Sequence, residues 1–284
     1  MTRQEYLLKL PDEEFVRFKE NGKWGFRDTQ GEVLIAAEYD YINENIWSGE
    51  RIEVRKGDKW GIINKAGEVV LDIVYDEPFD CVSFDFDPHQ RTFYIVERDG
   101  KMGILDYEFN EVIPAEYESL SLNFSSGVAA AGKNGKCGFI DFQNNIVIDF
   151  KYDDNGDFHE GLAAVKIGEK WGYINRREEL AIPCLYDDAW DFTEGVALVE
   201  KDGRCGYINH AGEWAVEPRY DEALPFSEGL AAVSIADKWG YINHLGEFVI
   251  ELQFENAFPF SAGCAMVQTE DGYKHINLFG EFID

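Results

Sequence analysis

The stretch Gly168-Glu169-Lys170-Trp171-Gly172-Tyr173-Ile174-Asn175 is one copy of a pattern that recurs along the chain. Three further copies keep both the Trp and the Gly, at Trp24-Gly25, Trp60-Gly61 and Trp239-Gly240. Four copies have diverged, at Met102-Gly103, Cys137-Gly138, Cys205-Gly206 and Tyr273-Lys274. Because one short unit occurs eight times in register, the sequence predicts a tandem-repeat protein.

The spacing inside the repeat has a constant half and a variable half. Fifteen residues after each of the first seven Trp-like positions stands an aromatic residue followed by an acid, at Tyr39-Asp40, Tyr75-Asp76, Tyr117-Glu118, Tyr152-Asp153, Tyr186-Asp187, Tyr220-Asp221 and Phe254-Glu255. The step from that pair to the next Trp-like position ranges from 19 to 27 residues. We therefore expect the constant half to be the packed unit and the variable half to be a surface connection.

Each unit has the pattern of three short β-strands. Pairs such as Asn134-Gly135 and Asp202-Gly203 separate the first two strands, and they suit a two-residue hairpin turn. In the second strand, alternation places Trp171 and Tyr173 on one face and Ile174 on the other. A Gly inside a strand, as at position 172, indicates close approach of another backbone.

The second and third strands are separated by a turn of the form Asn-x-x-Gly-Glu, as at Asn209–Glu213, which suits a type I turn. The third strand is apolar, as in Phe248-Val249-Ile250. An aromatic residue precedes Glu-Gly in the connector that follows, at Phe158, Phe192 and Phe226.

The predicted architecture is all-β, with eight three-stranded antiparallel meanders of about 34–42 residues each. We favour an open, curved, solenoid-like stack, and a β-propeller with small blades is the alternative. Residues 1–14 form a lead segment, and residues 15–284 form a single domain. One meander cannot bury its aromatic face alone, so we expect Trp171 to be a core residue whose replacement by Ala costs about 3–5 kcal/mol.

These units resemble the WG-repeat family, which is named for its recurring Trp-Gly pair. The resemblance covers roughly residues 15–284 and extends to the Asn turn, the Tyr-Asp pair and the Phe-Ser/Thr-Glu-Gly connector. It implies an all-β repeat array without established catalytic activity, found mostly in bacteria. The departures at Met102, Cys137, Cys205 and Tyr273 argue against any function that needs a Trp in every unit.

Composition limits the classes of partner. The formal net charge is −29 and the sequence pI is about 4.4, so nucleic acid and anionic membrane surfaces, which require a basic face, are excluded as expected partners. A basic protein is a suitable partner, since opposite fields speed encounter. Alternatively, the charge only keeps an aromatic-rich chain soluble. The sequence shows neither a secretory signal nor an 18-residue apolar run, so we expect a cytoplasmic protein.

No constellation for catalysis or for a cofactor emerges. The acids after the aromatic residues could form a row of cation ligands, but capping of turns is the simpler interpretation. A row of cations precedes the Trp-like positions and could balance them, at Lys23, Lys59, Lys101, Lys136, Lys170, Arg204 and Lys238. His210 and His244 share one turn position without other metal-ligating residues at a suitable spacing. We therefore expect no enzyme, no metal site and no cofactor.

One connector breaks the repeat. Residues 77–93 are eight residues longer than the standard connector, and insertions in repeat arrays often lie on the working face. Candidate partner-binding residues in this insertion are Phe79, Asp80, Phe84, Asp85, Phe86, Asp87 and His89. Trp47 and Trp190 lie in other connectors, where each is either a binding anchor or a core residue. The alternative for the insertion is a loop that has drifted without consequence.

Three functions are compatible with these observations. The first is a non-enzymatic protein–protein interaction scaffold with an acidic surface suited to basic partners. The second is a bacterial immunity or antitoxin protein that neutralises a basic toxin such as a nuclease. The third is a glycan-binding or enzymatic module that uses the connector aromatics. The sequence leaves open the identity of the partner and the oligomeric state.

Overall fold

The computed structural model describes residues 2–43, 51–83, 91–124 and 126–283. Within these ranges the secondary structure is nearly all β, apart from helix α1 (Arg3–Lys9) and a 3-10 turn over Asp12–Glu14. The strands form eight tandem antiparallel sheets of three or four strands, which confirms the predicted all-β array of meanders. No helix in the described part of the chain is long and apolar enough to cross a membrane.

The first of two compact units comprises the chain up to Leu120 together with Phe142–Asn144. Its sheets are β1–β3, β4–β7 and β8–β11, each paired in sequence order. The strands of this unit are β1 (Val16–Glu20), β2 (Lys23–Arg27), β3 (Val33–Tyr39), β4 (Tyr41–Ile42), β5 (Arg51–Lys56), β6 (Lys59–Asn64), β7 (Val69–Tyr75), β8 (Asp80–Ser83), β9 (Thr92–Arg98), β10 (Lys101–Asp106), β11 (Glu111–Tyr117) and β12 (Ser119–Leu120).

The second compact unit comprises Ser121–Asp141 and the chain from Asn145 onward. It contains a β13–β15 meander and four sheets of four strands. The strands of this unit are β13 (Ala129–Lys133), β14 (Lys136–Ile140), β15 (Ile146–Tyr152), β16 (Asp154–His159), β17 (Leu162–Ile167), β18 (Lys170–Asn175), β19 (Leu180–Tyr186), β20 (Asp188–Thr193), β21 (Val196–Lys201), β22 (Arg204–Asn209), β23 (Trp214–Tyr220), β24 (Glu222–Ala223), β25 (Ala231–Ile235), β26 (Lys238–Ile242), β27 (Phe248–Phe254), β28 (Asn256–Ala257), β29 (Cys264–Thr269), β30 (Gly272–Asn277) and β31 (Phe282–Ile283). The expectation of one domain over residues 15–284 stays a prediction.

The connector supplies a strand that the sequence pattern did not indicate. In the sheet β16–β19, strand β16 pairs antiparallel with β17 and precedes the three expected strands. The corresponding strand β20 has the same length, and it is shorter in other sheets, with two residues in β4, β12, β24 and β28. The predicted meander of three strands is therefore present, and the variable half of the repeat adds a short fourth strand at its start.

Strand pairing explains why the 15-residue step is constant. Trp171 lies directly opposite Tyr186, and the same pairing joins Trp60 to Tyr75. The register then shifts, so Tyr173 lies opposite Ile182. At this bulge the backbones approach so closely that a Cβ on Gly172 would lie 2.5 Å from the carbonyl oxygen of Ile182. The predicted close approach at this Gly is confirmed.

Both faces of each central sheet are buried. In the sheet β16–β19, Tyr173 packs with Phe192 of the following sheet, whereas Ile174 packs with Phe139 and Tyr152 of the preceding one. Successive residues of one strand thus enter two different cores, as the alternation predicted. Within each unit, neighbouring repeats share their cores, and no repeat has a complete core of its own.

The predicted core role of the repeat Trp needs correction. Trp171 and Trp60 are only half-buried, although Trp239 is 8% exposed. The fully buried aromatic is the residue two positions later, since Tyr173 is 0% exposed. Trp171 pairs with Lys166 close to the hairpin turn, so its ring lies at the margin of the core. The Lys166 ammonium lies 5.6 Å from the centre of that ring.

The connector aromatics complete the cores. Phe192 is buried, and its ring lies 5.0 Å from that of Tyr173 in an edge-to-face arrangement. The Tyr173 hydroxyl donates a 2.7 Å hydrogen bond to the backbone carbonyl of Trp190. Burial raises the pKa of Tyr173, which therefore stays a hydrogen-bond donor. The same hydroxyl-to-carbonyl bond recurs between Tyr207 and Leu224.

Candidate interaction surface

The two charged rows of the repeat meet as ion pairs. In six repeats the cation before the Trp-like position contacts the acid 17 residues later, with Nζ–Oδ1 distances of 2.6 Å for Lys23–Asp40 and 2.5 Å for Lys136–Asp153. Lys170–Asp187 and Arg204–Asp221 form the same pair. The predicted balance between a row of cations and a row of anions thus takes the form of direct contacts within one repeat.

The second oxygen of these carboxylates reaches the following repeat. Asp187 Oδ2 accepts a 2.7 Å hydrogen bond from the backbone N–H of Asp202, in the next hairpin turn. Asp40 and Asp153 accept equivalent bonds from Gly57 and Gly168 at 2.8 Å and 2.7 Å. Each carboxylate therefore caps a turn, as predicted, but the turn belongs to the neighbouring repeat.

These contacts change the acidity of the carboxyl groups. The hydrogen bond from Lys170 holds the pKa of Asp187 below its usual value of 3.8, and the amide of Asp202 adds to this effect. Lys59 lowers the pKa of Asp76 in the same way. Because the oxygens already have partners, the row of acids is structural. Among residues 2–43, 51–83, 91–124 and 126–283, no group of three or more His, Cys, Asp or Glu side chains could hold a metal ion.

The remaining repeated polar residues also make internal bonds. Asn175 Oδ1 accepts from the backbone N–H groups of Arg177 and Glu179, so the Asn organises its own turn. Glu160 accepts from the N–H of Gly195 in the next repeat and lies 3.1 Å from His210. The His210 ring in turn stacks on Phe192 at 4.3 Å. The repeated chemistry of this chain thus joins neighbouring repeats together.

A feature specific to one repeat is a better candidate for function, and the sheet β8–β11 provides it. Strand β8 pairs with β9 from Asp80–Ile95 to Ser83–Thr92, so the ends of the insertion form a β-ladder. Of the sequence-predicted candidates, Phe84, Asp85, Phe86, Asp87, His89 and Trp47 lie outside the described residues. Phe79, Asp80 and Trp190 lie within them.

Phe79 is a core residue, which corrects its assignment as an exposed anchor. It is 6% exposed, and its ring meets that of Tyr75 edge-to-face at 5.4 Å. It lies four residues after the repeat Tyr, as Trp190 does in a later repeat, and it packs in the core with Ile62. Its backbone N–H donates a 3.1 Å hydrogen bond to Glu53 Oε1.

Trp190 also has a structural role. Its side chain is half-buried and packs against the core formed by Leu198, Tyr207 and Phe226. Its backbone carbonyl accepts the hydrogen bond from the Tyr173 hydroxyl. The interpretation of Trp190 as a core residue accounts for both contacts.

Asp80 is exposed and lines a cleft of about 170 Å³ in the first unit. We call this the acidic cleft, and its lining includes Glu77, Pro78, Asp80, Ile95, Glu97 and Met102. Three of these residues are acidic, and the apolar ones can accept the stem of a long side chain. The arrangement suits a Lys or Arg side chain, whose charged head needs carboxylates while its stem needs apolar surface.

The acidic cleft lies where the repeat has lost its Trp. Met102 occupies the Trp-like position and lies opposite Glu97. In three Trp-containing repeats the residue opposite the Trp is a cation, at Lys19, Arg55 and Lys166. In this sheet a cation over a large ring is therefore replaced by an acid beside a flexible thioether. The substitution at Met102 was visible in the sequence, but its acidic partner required the strand register.

A buried acid lies near the acidic cleft. Glu53 is almost fully buried, and it accepts hydrogen bonds from Phe79 N–H and from Asn43 Nδ2, the latter at 3.3 Å. Burial raises the pKa of Glu53, and the negative charge of Asp80 raises it further. A cation bound in the cleft would relieve this like-charge repulsion. Sequence reasoning missed Glu53 because nothing in its local pattern distinguishes it.

A polar cluster that does not recur in every repeat lies in the second unit. His159 Nε2 lies 3.4 Å from Asp191 Oδ2 and 3.3 Å from the amide nitrogen of Asn123. Burial raises the pKa of Asp191. The position before the connector Phe is Asp in these two repeats and Pro at Pro225 and Pro259, so spacing alone could have marked the difference.

Comparison with known proteins agrees with the repeat architecture. No curated protein matches the sequence. A solved eukaryotic initiation factor is similar with a TM-score of 0.50 at 10% identity, over 96% of this chain and 85% of that one. Hsv2p from Kluyveromyces lactis gives a TM-score of 0.44 at 10% identity, over 80% and 88% of the two chains. At such identities the similarity concerns the fold alone.

The family described as the WG containing repeat matches seven segments of this chain. They cover residues 24–60, 60–85, 102–137, 138–171, 171–205, 206–239 and 239–273. Apart from the end at residue 85, every boundary falls at a Trp-like position or one residue after it. The protein is therefore a member of the WG-repeat family.

Proposed function

We propose that this protein is a non-enzymatic interaction scaffold, and that it binds a basic protein through the acidic cleft. The observation that carries the proposal is the contrast between repeated and unrepeated residues. The repeated acids are hydrogen-bonded within the array, as for Asp187 and Glu160. Glu77, Asp80 and Glu97 instead line an open depression.

Charge supports the class of partner. The formal net charge of −29 gives the chain a long-range attraction for cations, which speeds encounter with a basic surface. The cleft then selects one Lys or Arg side chain by its shape and its three carboxylates. Binding should therefore weaken as added salt screens the charges.

Affinity purification with charge-reversed baits tests this proposal. The cleft variant is Glu77→Lys/Asp80→Lys. The matched control is Glu169→Lys/Glu270→Lys, which has the same change of net charge at two exposed turn positions. Each bait is used at about 0.05 M and about 0.5 M salt, which spans a large change in screening length.

The proposal predicts one partner that wild type and control recover at low salt, that the cleft variant loses, and that high salt releases. Equal recovery by all three baits would refute a role for the cleft. Recovery of no specific protein by the wild-type chain would refute the scaffold itself.

Neutralisation of a basic toxin is the most specific form of the same proposal. The high negative charge and the acidic cleft motivate it, because nuclease toxins carry basic substrate-binding surfaces. Cells that express a basic toxin encoded beside this gene should survive when the wild-type chain is co-expressed. Death despite normal expression of the chain would exclude this form and leave the general scaffold to the purification experiment.

The alternative of glycan binding through connector aromatics stays a prediction, since Trp47, Phe84 and Phe86 lie outside the described residues. Phe158, Phe192 and Phe226 are buried, so their rings cannot form an exposed stacking platform for a sugar. The expectation that the chain is not an enzyme stays a prediction. A turnover screen against hydrolase substrates, with boiled protein as control, would test it.

A further inference from the structure

The edge strands of most sheets carry, at their central position, a residue that discourages pairing with another chain. In the six four-stranded sheets that end in β7, β11, β15, β19, β23 and β27, the last strand has one unpaired edge, which could template pairing with another chain. Charged residues and Pro discourage such pairing. The fourth of seven residues in these strands is charged or Pro in β7, β11, β15, β19, β23 and β27, at Asp72, Pro114, Asp149, Pro183, Glu217 and Glu251.

Strand β3 is the exception. Its central residue is Ala36, and the run from Val33 to Ala37 contains neither a charge nor a Pro. Its only charged residue is Glu38, which pairs with Lys56 at 2.9 Å. An edge with an apolar run of five residues is suited to strand addition.

Helix α1 lies against this edge. Arg3 Nη2 donates a 2.9 Å hydrogen bond to the backbone carbonyl of Val33. The neighbouring carbonyl of Glu32 accepts from Asp28 N–H inside the hairpin, and successive carbonyls point in opposite directions along a strand. The Val33 carbonyl therefore belongs to the open edge. Leu7, the one buried residue of α1, lies near Leu34 and Ala36.

The contact between α1 and β3 is loose. A cavity of about 480 Å³ remains between them, lined by Arg3, Leu7, Leu34, Ala36 and Ala66. A helix of seven residues is marginal in water unless tertiary contacts hold it. Besides the contacts above, Gln4 donates to Glu68 across an exposed surface. If α1 moved away, the buried packing lost would be chiefly that of Leu7.

The chain that follows α1 has its own anchor. Lys65, which is 5% exposed, donates a 2.9 Å hydrogen bond to the carbonyl of Leu10 and pairs with Asp12 at 2.5 Å. The Lys65 ammonium also lies 5.6 Å from the centre of the Phe15 ring. Helix α1 can therefore leave the edge while Leu10 and Asp12 remain in place.

We propose that α1 is a removable guard of the β3 edge, and that the uncovered edge pairs with the β3 edge of a second copy of this chain. In an antiparallel pair related by a twofold axis, the central residues of the two strands lie opposite each other. The central residue is small and apolar only in β3. The same pairing would oppose two like charges in β7, β15, β23 and β27, and it would meet a Pro in β11 and β19.

Sedimentation velocity over a range of concentrations tests the proposal with full-length variants. Leu7→Asp releases the guard, and Tyr6→Asp is the matched control, since it makes the same kind of change at a side chain that is 49% exposed on the same helix. The third variant, Leu7→Asp/Ala36→Asp, gives β3 the central charge that β7 has. Amide exchange of residues 3–9 reports whether the helix has been released.

We expect Leu7→Asp to self-associate at least about tenfold more tightly than wild type, with Tyr6→Asp and the double variant unchanged. Rescue by Ala36→Asp distinguishes edge pairing from general misfolding, because a second added charge would not refold a damaged chain. Unchanged association with a released helix, or equal association of the double variant, overturns the proposal. If the helix stays protected in Leu7→Asp, adding Arg3→Ser and Gln4→Ser removes its other contacts, and the same comparison decides.

Discussion

The sheets β16–β19 and β8–β11 are built on the same pairing and differ in what they add to it. Trp171 lies opposite Tyr186, as Met102 lies opposite Tyr117, and each pair is followed by a register shift. A Cβ on Gly103 would lie 2.7 Å from the third strand, close to the 2.5 Å found at position 172. The second and third strands are thus one rigid element in both sheets.

The difference lies in the first strands and in the Trp-like position. In β16–β19 the Trp171 ring lies beneath Lys166, and a Glu-Gly turn joins the first two strands. In β8–β11 a longer connector joins β8 to β9, and Met102 and Glu97 line the acidic cleft. A repeat can therefore acquire a surface cleft at its margin without altering the strands that hold the array together.

The largest expected effect is the loss of stability when Tyr173 is replaced, compared with the loss when Trp171 is replaced. Tyr173→Ala should lower the free energy of unfolding by about 4 kcal/mol, and Trp171→Ala by only about 1–2 kcal/mol, because the first side chain is fully buried and the second is at the margin. Ile104→Ala and Met102→Ala provide the same comparison in the other sheet. Urea unfolding measures all four. A loss at Trp171 as large as that at Tyr173 would contradict the placement of the core.

The next effect tests whether the two sheets share their rigid element. Gly172→Ala and Gly103→Ala should each destabilise the protein by about 3 kcal/mol, since the added methyl group would collide with the backbone of the third strand. Gly161→Ala is the control, with a positive φ and open space around its Cα, and should cost about 1 kcal/mol. Unequal effects at positions 172 and 103 would show that the bulge differs between the sheets.

Acid should weaken the bonds between repeats in both units. The pKa values of Asp76 and Asp187 lie below their usual 3.8, so their contribution to stability is complete above that pH and is lost as the pH falls through the folded values. Asp76→Asn and Asp187→Asn should lower the melting temperature at pH 7 and reduce its further fall below pH 3.8. Melting curves across pH, with Asp237→Asn as an exposed control, measure this. An unchanged acid dependence would show that these carboxylates are not the stabilising groups.

The smallest expected effect on stability comes from a variant that gives the sheet β8–β11 the residues of the Trp-containing repeats. Glu97→Lys/Met102→Trp restores the cation and ring of the Trp-containing repeats, and should raise the free energy of unfolding by about 0.5–1 kcal/mol. It should also abolish capture of the basic partner, because the cleft loses an acid and is filled by the ring. Retained capture at unchanged stability would show that the cleft is not where the partner binds.

Much of the fold could be predicted because the repeat fixes the distances along the chain. The constant step from Trp171 to Tyr186 predicted the packed half of the repeat, and Gly172 predicted the close approach that is present. That Trp171 and Tyr186 lie opposite each other is visible only in the structure. The fourth strand escaped prediction because segments such as Tyr41–Ile42 are too short to show a period. The degree of burial of Trp171 could not be predicted either. Alternation assigns Trp171 to a face of the sheet but does not say how far it lies from the edge of the core.

The candidate site was predictable only in part for a related reason. The length of the insertion marked the sheet that holds the acidic cleft, and Asp80, which lines the cleft, was among the predicted candidates. Glu97 and Met102 are five residues apart, and only the strand register shows that they lie opposite each other. Phe79 was misassigned because an aromatic next to an acid looks the same in sequence whether the ring is buried or exposed.

The carboxylate of Asp187 takes its Lys from its own repeat and its amide from the next one, and Asp40 and Asp153 do the same. The two ends of such a repeat are therefore complementary to each other. A gene duplication that copies one whole repeat would add a repeat whose two ends already match those of its neighbours. Recombination could therefore lengthen or shorten this protein by whole units without any compensating change elsewhere.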